Sequence, residues 1–205
     1  MNQLTSQTYP NKLARWQAFK RGDRVAFEQL YALNSQLLIK YGYKITTNRA
    51  LIQDCIQDLF VELWESRRRL ADTDSVKFYL LKSLRYKLLR QLQNTATVSL
   101  NDMPLPRPDK TLDTPLTDQE TLSERTRQLK QVLAQLPKRQ QEAIHLRYFQ
   151  ELSNEEIAEV MGINYQSACK FIYTALSALR EKLQLSCLIP LLPALAYLGR
   201  YVAGN

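Results

Sequence analysis

Apolar residues recur at helical intervals along most of this chain, and no stretch shows the strict alternation of a half-buried strand. In the first part, the spacing predicts helices at about 12–21, from 24 onward, at 48–68 and at 75–93. The predicted buried positions of the third helix are Ile52, Cys55, Ile56, Leu59, Phe60 and Leu63. Those of the second are Val25, Phe27, Leu30, Tyr31, Leu33, Leu37 and Leu38, and those of the fourth are Leu80, Leu81, Leu84, Leu88 and Leu92.

Residues 152–168 have the pattern of a helix-turn-helix, a motif that fits the major groove of DNA. Ser153 and Glu156 form a capping-box sequence, Gly162 allows a tight turn, and Asn164 can cap a second helix that reaches about Lys182. The buried stripe of this second helix is Ala168, Ile172, Ala175, Leu176, Leu179 and Leu183. Its candidate DNA contacts are Asn164, Tyr165, Gln166, Ser167, Lys170 and Thr174, with Ser177 on the same outer face. The simpler alternative is an antiparallel helix pair that touches no DNA.

Residues 94–121 separate the two helical parts. This segment contains Pro104, Pro106, Pro108 and Pro115, is acidic and has almost no hydrophobic periodicity. These features predict a flexible tether. After it, helices are predicted at about 123–135 and 137–149. The predicted fold is all-α, with two small helical domains at 1–93 and 122–185 and an apolar tail at 186–205.

The charge is uneven along the chain. Residues 1–93 carry 16 Lys and Arg against 8 Asp and Glu, which accounts for most of the basic excess. A basic surface of this kind favours a polyanion such as nucleic acid, because phosphate contacts release counterions. The alternative is a solvated surface that keeps the protein soluble.

The remaining composition points to a cytoplasmic protein. Cys55, Cys169 and Cys187 are scattered thiols without the spacing of a metal or redox site, and the polar amino terminus has no secretory pattern. The tail is too short to span a bilayer, so no stable membrane insertion is expected. We expect it to fold against the second domain, with an inhibitor-docking site or a weak membrane contact as alternatives.

Two further surfaces follow from helical spacing. The third helix carries polar residues opposite its apolar stripe, and a basic partner would be steered onto them. They are Asp54, Gln57, Asp58, Glu62 and Glu65. The fourth helix combines cations with aromatic rings, as a single-strand binding surface requires. Its candidates are Lys77, Tyr79, Lys82, Arg85, Tyr86, Lys87 and Arg90, beside Phe78. Ordinary solvated helix faces, with the aromatic rings in the core, are the alternatives.

With these elements the chain resembles the bacterial RNA polymerase sigma factors of the extracytoplasmic-function type. The resemblance rests on Asp54, Gln57, Asp58, Phe60 and Trp64 at the family's intervals, and on Leu136-Pro137 with Glu142, Leu146 and Tyr148 before the helix-turn-helix. It implies that the third helix grips the clamp helices of core RNA polymerase and that the fourth binds the melted minus-ten element. The helix-turn-helix would then read the minus-thirty-five element of promoter DNA. An anti-sigma factor is a further candidate partner.

No catalytic arrangement is recognisable in the sequence. The single histidine, His145, falls inside a predicted helix, and there is no glycine-rich phosphate loop, metal-ligand cluster or paired nucleophile. We therefore predict a protein that is not an enzyme and needs no cofactor. A stand-alone helix-turn-helix regulator, acting at an operator without polymerase, is the main alternative. A membrane-associated interaction protein built around the tail is a third.

Overall fold

The computed structural model of the chain describes residues 9, 11–73, 75–98 and 120–183, without the side chains of 95–98 and 120–125. These ranges contain eight α-helices and no strand, which confirms the all-α prediction. The helices are α1 (Lys12–Lys20), α2 (Arg24–Ile45), α3 (Arg49–Ser66), α4 (Val76–Val98), α5 (Glu120–Gln135), α6 (Lys138–Ile144), α7 (Asn154–Met161) and α8 (Tyr165–Lys182). No helix within these ranges is long and apolar enough to cross a membrane.

The chain forms two compact units, Met1–Asn101 and Asp102–Asn205. The first contains α1–α4 and the second contains α5–α8. Helix α4 runs on to Val98 and α5 begins at Glu120, so both extend into the segment predicted as a tether. Helix α4 can continue because neither proline nor glycine occurs between Gln93 and Pro104. The rest of the predicted tether and the tail 186–205 lie outside the described residues.

Helix α3 supplies the centre of the first unit. All six residues of its predicted stripe are buried, and the helix packs against both α2 and α4. Helix α4 contributes Leu80, Leu81, Leu84 and Leu88, as predicted, whereas Leu92, also predicted to be buried, is only half-buried near the end of the helix. The rings of Phe19, Phe27, Phe60 and Trp64 form a linked cluster, with the centroids of contacting rings 5.0 to 6.3 Å apart. The buried stripe thus fixes which face of α3 points outward.

The prediction for α2 was partly wrong. Leu33 is 61% exposed and Tyr31 is also exposed, although both were assigned to the buried side. The residues that α2 does bury include Leu30, Leu38 and Tyr41, which follow one narrow line along the helix. Helix α2 carries more apolar residues than the arc facing α3 and α4 can cover.

A close approach of α2 to α3 depends on Gly42. A Cβ atom at this position would lie 2.7 Å from Cγ2 of Ile52, which is closer than real Cβ contacts allow. A side chain at position 42 would therefore force the two helices apart.

Local hydrogen bonds begin the helices of the first unit as the sequence suggests. The carboxylate of Asp23 accepts hydrogen bonds from the backbone N–H groups of Val25 and Ala26 at the start of α2. Its other oxygen accepts a hydrogen bond from the Tyr9 hydroxyl at 2.7 Å. This second bond is the largest of the effects that lower the pKa of Asp23. Burial, together with the bond to Asp23, raises the pKa of Tyr9 to about 12.

The second unit begins with α5 and α6, which end and start around Leu136-Pro137 as predicted. The helix after Pro137 is not uniform, because α6 continues into a π-helical turn at His145–Phe149 that the spacing did not reveal. This turn adds one residue to the ring closed by each backbone hydrogen bond. His145 is buried there, stacked on Phe149, and its Nε2 lies 3.2 Å from Nε2 of Gln150.

Helices α7 and α8 form the predicted helix-turn-helix. The Ser153 hydroxyl accepts a hydrogen bond from the N–H of Glu156, and the Glu156 carboxylate accepts one from the N–H of Ser153. Gly162 ends α7 in the left-handed conformation, with φ of 62°. The Asn164 side chain then caps α8 by accepting a hydrogen bond from the N–H of Ser167 at 2.7 Å. Each predicted start and stop is confirmed.

The Tyr9–Asp23 contact predicts a dependence of stability on pH. Replacing Tyr9 with Phe (Tyr9→Phe) removes the hydrogen bond, so the pKa of Asp23 should rise toward its ordinary value. A lowered pKa in the folded state contributes stability above the ordinary pKa, and that stability is lost as the pH falls through the folded value. The variant should therefore be less stable at neutral pH and lose less stability on acidification. A carboxyl NMR titration of Asp23 measures the change, with Tyr43→Phe as the control. An unaltered Asp23 titration would contradict this account.

The capping box predicts a local loss of stability. Ser153→Ala removes the acceptor for the N–H of Glu156, which should destabilise the second unit by about 1 kcal/mol. Thermal unfolding followed by far-UV circular dichroism reports the loss. Both tryptophans, Trp16 and Trp64, lie in the first unit, so tryptophan fluorescence provides an internal control and should be unchanged. A shift in the fluorescence transition instead would show that the cap does not act locally.

Candidate functional site

The outer face of α3 carries the five polar residues expected there. Asp54, Gln57, Asp58, Glu62 and Glu65 are all exposed, and we call them the acidic strip. Their exposure follows from the burial of the opposite stripe, since the residues of one helix turn cannot all face inward.

An apolar residue lies within the acidic strip. Val61 is exposed and sits one helical turn from Gln57, Asp58 and Glu65. The apolar spacing of α3 does not reveal this residue, since Val61 lies outside the buried stripe. An apolar centre surrounded by carboxylates has the layout of a protein interface, where a dry core is framed by polar groups.

The two aromatic residues of the α3 motif have mainly structural roles. Phe60 is buried in the ring cluster, and Trp64 is half-buried beside it. The guanidinium of Arg67 lies over the Trp64 ring, 4.3 Å from its centroid, and Nη1 of Arg67 donates a hydrogen bond to the Trp64 carbonyl oxygen. These contacts hold the carboxyl end of α3 in place.

The candidate nucleic-acid residues of α4 differ in exposure. Tyr86 is 67% exposed, and Lys82 and Arg90 are exposed as well. Lys77, Tyr79 and Lys87 are half-buried. Tyr79 contacts Trp16, with ring centroids 6.3 Å apart. Within this helix the outer surface is therefore centred on Tyr86.

Arg85 was predicted as a nucleic-acid contact, and its position argues against that role. Only 7% of the residue is exposed, so its guanidinium is not presented to a ligand in solution. It lies one turn after Leu81 and next to Leu84, on the side of α4 that faces the core. A count of cations along the helix could not reveal this, because it ignores which arc the neighbouring helices cover.

The two predicted surfaces of the first unit meet in one open groove of about 1180 Å³ between α3 and α4. Three members of the acidic strip line one side, namely Asp58, Glu62 and Glu65. The α4 residues Tyr79, Lys82, Tyr86, Lys87 and Arg90 line the other. Nζ of Lys87 reaches across the groove to Oε1 of Glu62 at 2.5 Å. Carboxylates and cations predicted to serve different partners are thus direct neighbours.

The charged residues of the groove also affect the pKa of the buried Cys55 thiol. Burial raises the pKa of Cys55, the nearby carboxylate of Asp58 raises it further, and the Lys87 ammonium partly offsets both. A thiol in this state stays protonated at neutral pH and is unsuited to act as a nucleophile.

The segment between α3 and α4 adds residues that the sequence analysis missed. Arg69, Leu70 and Thr73 line the groove, and Arg69 is exposed. The run of three arginines at 67–69 was a visible indication of a basic surface. The segment is tied to α1, since the Asp72 carboxylate accepts hydrogen bonds from Lys20 at 2.6 Å and Gln17 at 2.7 Å. The bond from Lys20 is the main cause of the lowered pKa of Asp72.

In the second unit, α8 presents most of its predicted contact residues to solvent. Asn164, Tyr165, Gln166 and Lys170 are exposed, while Ser167 and Thr174 are half-buried. The Thr174 hydroxyl donates a hydrogen bond to the Lys170 carbonyl oxygen at 2.8 Å, so it is partly satisfied within the helix. The Asn164 side chain is engaged in capping.

The most exposed aromatic residue of α8 was not among the predicted contacts. Tyr173 is 75% exposed and lies seven residues after Gln166, three after Lys170 and four before Ser177, all on one face. The opposite face buries Ala168, Ile172, Ala175 and Leu179 against the rest of the unit. Tyr173 thus exposes an aromatic ring on the polar side of α8, a feature that the helical spacing did not predict.

A side-chain contact links the first residue of α7 to α8. Nδ2 of Asn154 donates a hydrogen bond to Sγ of Cys169 at 3.3 Å.

The described part of the chain contains no group of three or more His, Cys, Asp or Glu residues able to hold a metal ion.

Two known families match the chain. Residues 30–97 match the family described as sigma-70 region 2, and residues 126–181 match the family described as sigma-70, region 4. Together the two ranges cover more than half of the chain, and each lies within one compact unit. No curated protein matches the chain.

Two solved structures share the fold. One is the sigma factor RpoE in complex with the anti-sigma factor NepR from Bartonella quintana, with 19% identity, a TM-score of 0.61, and coverage of 78% of this chain and 98% of that chain. The other is CnrH in complex with the cytosolic domain of CnrY, with 19% identity, a TM-score of 0.54, and coverage of 84% of this chain and 97% of that chain.

The matches to regions 2 and 4 account for both units and favour a polymerase subunit over a stand-alone operator-binding regulator. The chain therefore belongs to the sigma-70 family and is a sigma factor, which binds core RNA polymerase and directs promoter recognition and transcription initiation.

Proposed function

We propose that this sigma factor is of the extracytoplasmic-function type, with the unit of α1–α4 binding polymerase and melting the promoter, the segment between α4 and α5 acting as a tether, and the unit of α5–α8 reading the upstream element. The observation that carries the proposal is the match of regions 2 and 4 to two helical units. The likeness to RpoE, which extends over 98% of that chain, supports the same two-unit plan. The chemistry of the proposed role is binding, with catalysis left to the polymerase.

The acidic strip is the proposed polymerase-docking surface. Its carboxylates are exposed, and they stand out from a first domain that is otherwise basic, so a partner with arginine or lysine side chains is steered toward them. Val61 supplies an apolar contact in the middle of the strip. Charged groups then set orientation and rate of encounter, while the apolar centre adds contact area.

The α4 side of the groove is the proposed surface for the melted minus-ten strand. Tyr86 offers an exposed ring for stacking on a base, and Lys82, Arg90 and Arg69 offer charges for phosphates. Lys77, Tyr79 and Lys87 are half-buried and would contribute from the side of the groove. Arg85 is left out of this assignment because it is buried.

Helix α8 is the proposed reading element for the minus-thirty-five sequence. Gln166, Lys170 and Tyr173 follow the intervals at which a recognition helix presents side chains to successive base edges. The amide of Gln166 suits adenine and the ammonium of Lys170 suits guanine. The Tyr173 ring offers an apolar contact for a thymine methyl group.

An anti-sigma factor is a proposed further partner. The related fold of RpoE is found bound to the anti-sigma factor NepR. A protein that covers the acidic strip would compete directly with polymerase, since both would require the same carboxylates.

Charge reversal tests the docking surface. Asp58→Lys combined with Glu62→Lys should lower promoter-specific transcription by core polymerase about tenfold or more, because each reversed charge meets a cation on the partner. Transcripts from genomic DNA are counted with the purified full chain. Glu28→Lys reverses an exposed carboxylate on α2 and serves as the control. Unchanged transcription by the double variant would refute the assignment of the acidic strip.

Loss of an aromatic ring tests the reading element. Tyr173→Ala should lower transcription from the preferred promoter by about tenfold, within the 1–3 kcal/mol range of a lost base contact, and should relax the preference at one base pair. The assay uses holoenzyme and a promoter library with randomised upstream elements. Tyr173→Phe should retain the preference, and Tyr43→Ala, at another exposed tyrosine, should not alter it. An identical preference profile for Tyr173→Ala would contradict the assignment.

A further inference from the structure

One ion pair joins the two proposed binding surfaces of the first unit. Lys87 on α4 and Glu62 on α3 meet at 2.5 Å, and their side chains are exposed by 18% and 63% respectively. Both residues line the groove between the two helices. The lysine is therefore largely enclosed and directed at the carboxylate, while the carboxylate is open to solvent on its other side.

Each member of this pair is also required by a different partner. Glu62 belongs to the acidic strip, where a polymerase cation would approach it from solvent. Lys87 belongs to the helix assigned to the single strand, where a phosphate would compete for its ammonium. While the two side chains are paired, each neutralises the charge that the other would offer.

We propose that the Glu62–Lys87 ion pair is an intramolecular latch: in the free chain it withholds Lys87 from DNA, and polymerase releases Lys87 by taking over Glu62. This inference rests on the proposed docking role of the acidic strip. It makes DNA binding by the first unit conditional on polymerase without requiring the helices to move. Only two side-chain rotamers change.

The strength of the pair suits such a role. Solvent-accessible ion pairs are worth little, so a partner with several contacts can replace this one readily. A deeply buried pair would resist exchange. Because coupling between two binding events is reciprocal, occupation of Lys87 by a phosphate must also favour docking through Glu62 to the same extent.

The first test measures binding of the free full-length chain to a short fluorescein-labelled single-stranded DNA by anisotropy at low ionic strength. Glu62→Gln should tighten binding by about two- to fivefold, because Lys87 is then available. Glu65→Gln is the matched control, since it removes the same charge from the same groove wall but does not touch Lys87. The extra gain of Glu62→Gln over Glu65→Gln should disappear when Lys87→Met is present in both.

Equal gains from Glu62→Gln and Glu65→Gln would overturn the latch, since the effect would then be a general change of charge. An extra gain of Glu62→Gln over Glu65→Gln that persists beside Lys87→Met would overturn it as well. Lys87→Met keeps the length and the apolar stem of the side chain, and circular dichroism of each variant establishes that the helices are intact.

The second test measures affinity for core polymerase in the absence of DNA. Lys87→Met should tighten binding by a similar factor of about two to five, because Glu62 no longer has an internal partner. If charge reversal at Glu62 abolishes docking but Lys87→Met leaves it unaltered, the latch is refuted and the docking surface stands. If neither substitution affects polymerase binding while Glu62→Gln still tightens DNA binding, the docking assignment has failed, and with it the release of Lys87 by polymerase.

Discussion

The burial of one face of α3 is the constraint on which the first unit depends. Six apolar side chains of this helix pack against α2 and α4, and each of the Ile, Leu and Phe side chains among them contributes about 1.5–3 kcal/mol when fully buried. Surface ion pairs contribute about 1 kcal/mol at most. The core therefore sets the rotation of α3, and the acidic strip is exposed as a consequence. The backbone that displays the acidic strip is therefore held in place by the core.

The groove between α3 and α4 brings acidic side chains next to basic and aromatic ones. Carboxylates on α3 and cations with aromatic rings on α4 are held a few ångströms apart by a shared apolar base that includes Leu59 and Leu63. Opposite charges at this distance influence each other, although by about 1 kcal/mol at most because the groove is open to solvent. In the proposed roles of the two helices, binding of polymerase and binding of DNA at this groove would therefore be linked by electrostatics, even where the two ligands do not touch.

In the second unit, most residues that fix the fold and most exposed residues of α8 lie on different faces of the helix-turn-helix. Capping bonds at Ser153 and Asn164 and the left-handed turn at Gly162 set the angle between α7 and α8, and small residues such as Ala168 and Ala175 allow close packing. The outer face of α8 has few structural duties: Asn164 caps the helix, Thr174 bonds to the Lys170 carbonyl oxygen, and Tyr165 contacts Cys169 and Asn154. Side chains there can differ without cost to the fold, which suits a surface that reads sequence.

Most helix starts, the caps, the buried stripe of α3 and most of that of α4 were determined by the sequence itself, because they depend on hydrogen bonds within one turn and on a helical period that the residues display directly. The tertiary structure decided how much of each helix is covered. It buried Arg85, left Leu33, Tyr31 and Tyr173 exposed, and brought Arg69 and Lys87 to the groove beside Glu62. A period identifies a face of a helix, but the width of the covered arc and the identity of the opposite residues depend on how neighbouring helices pack.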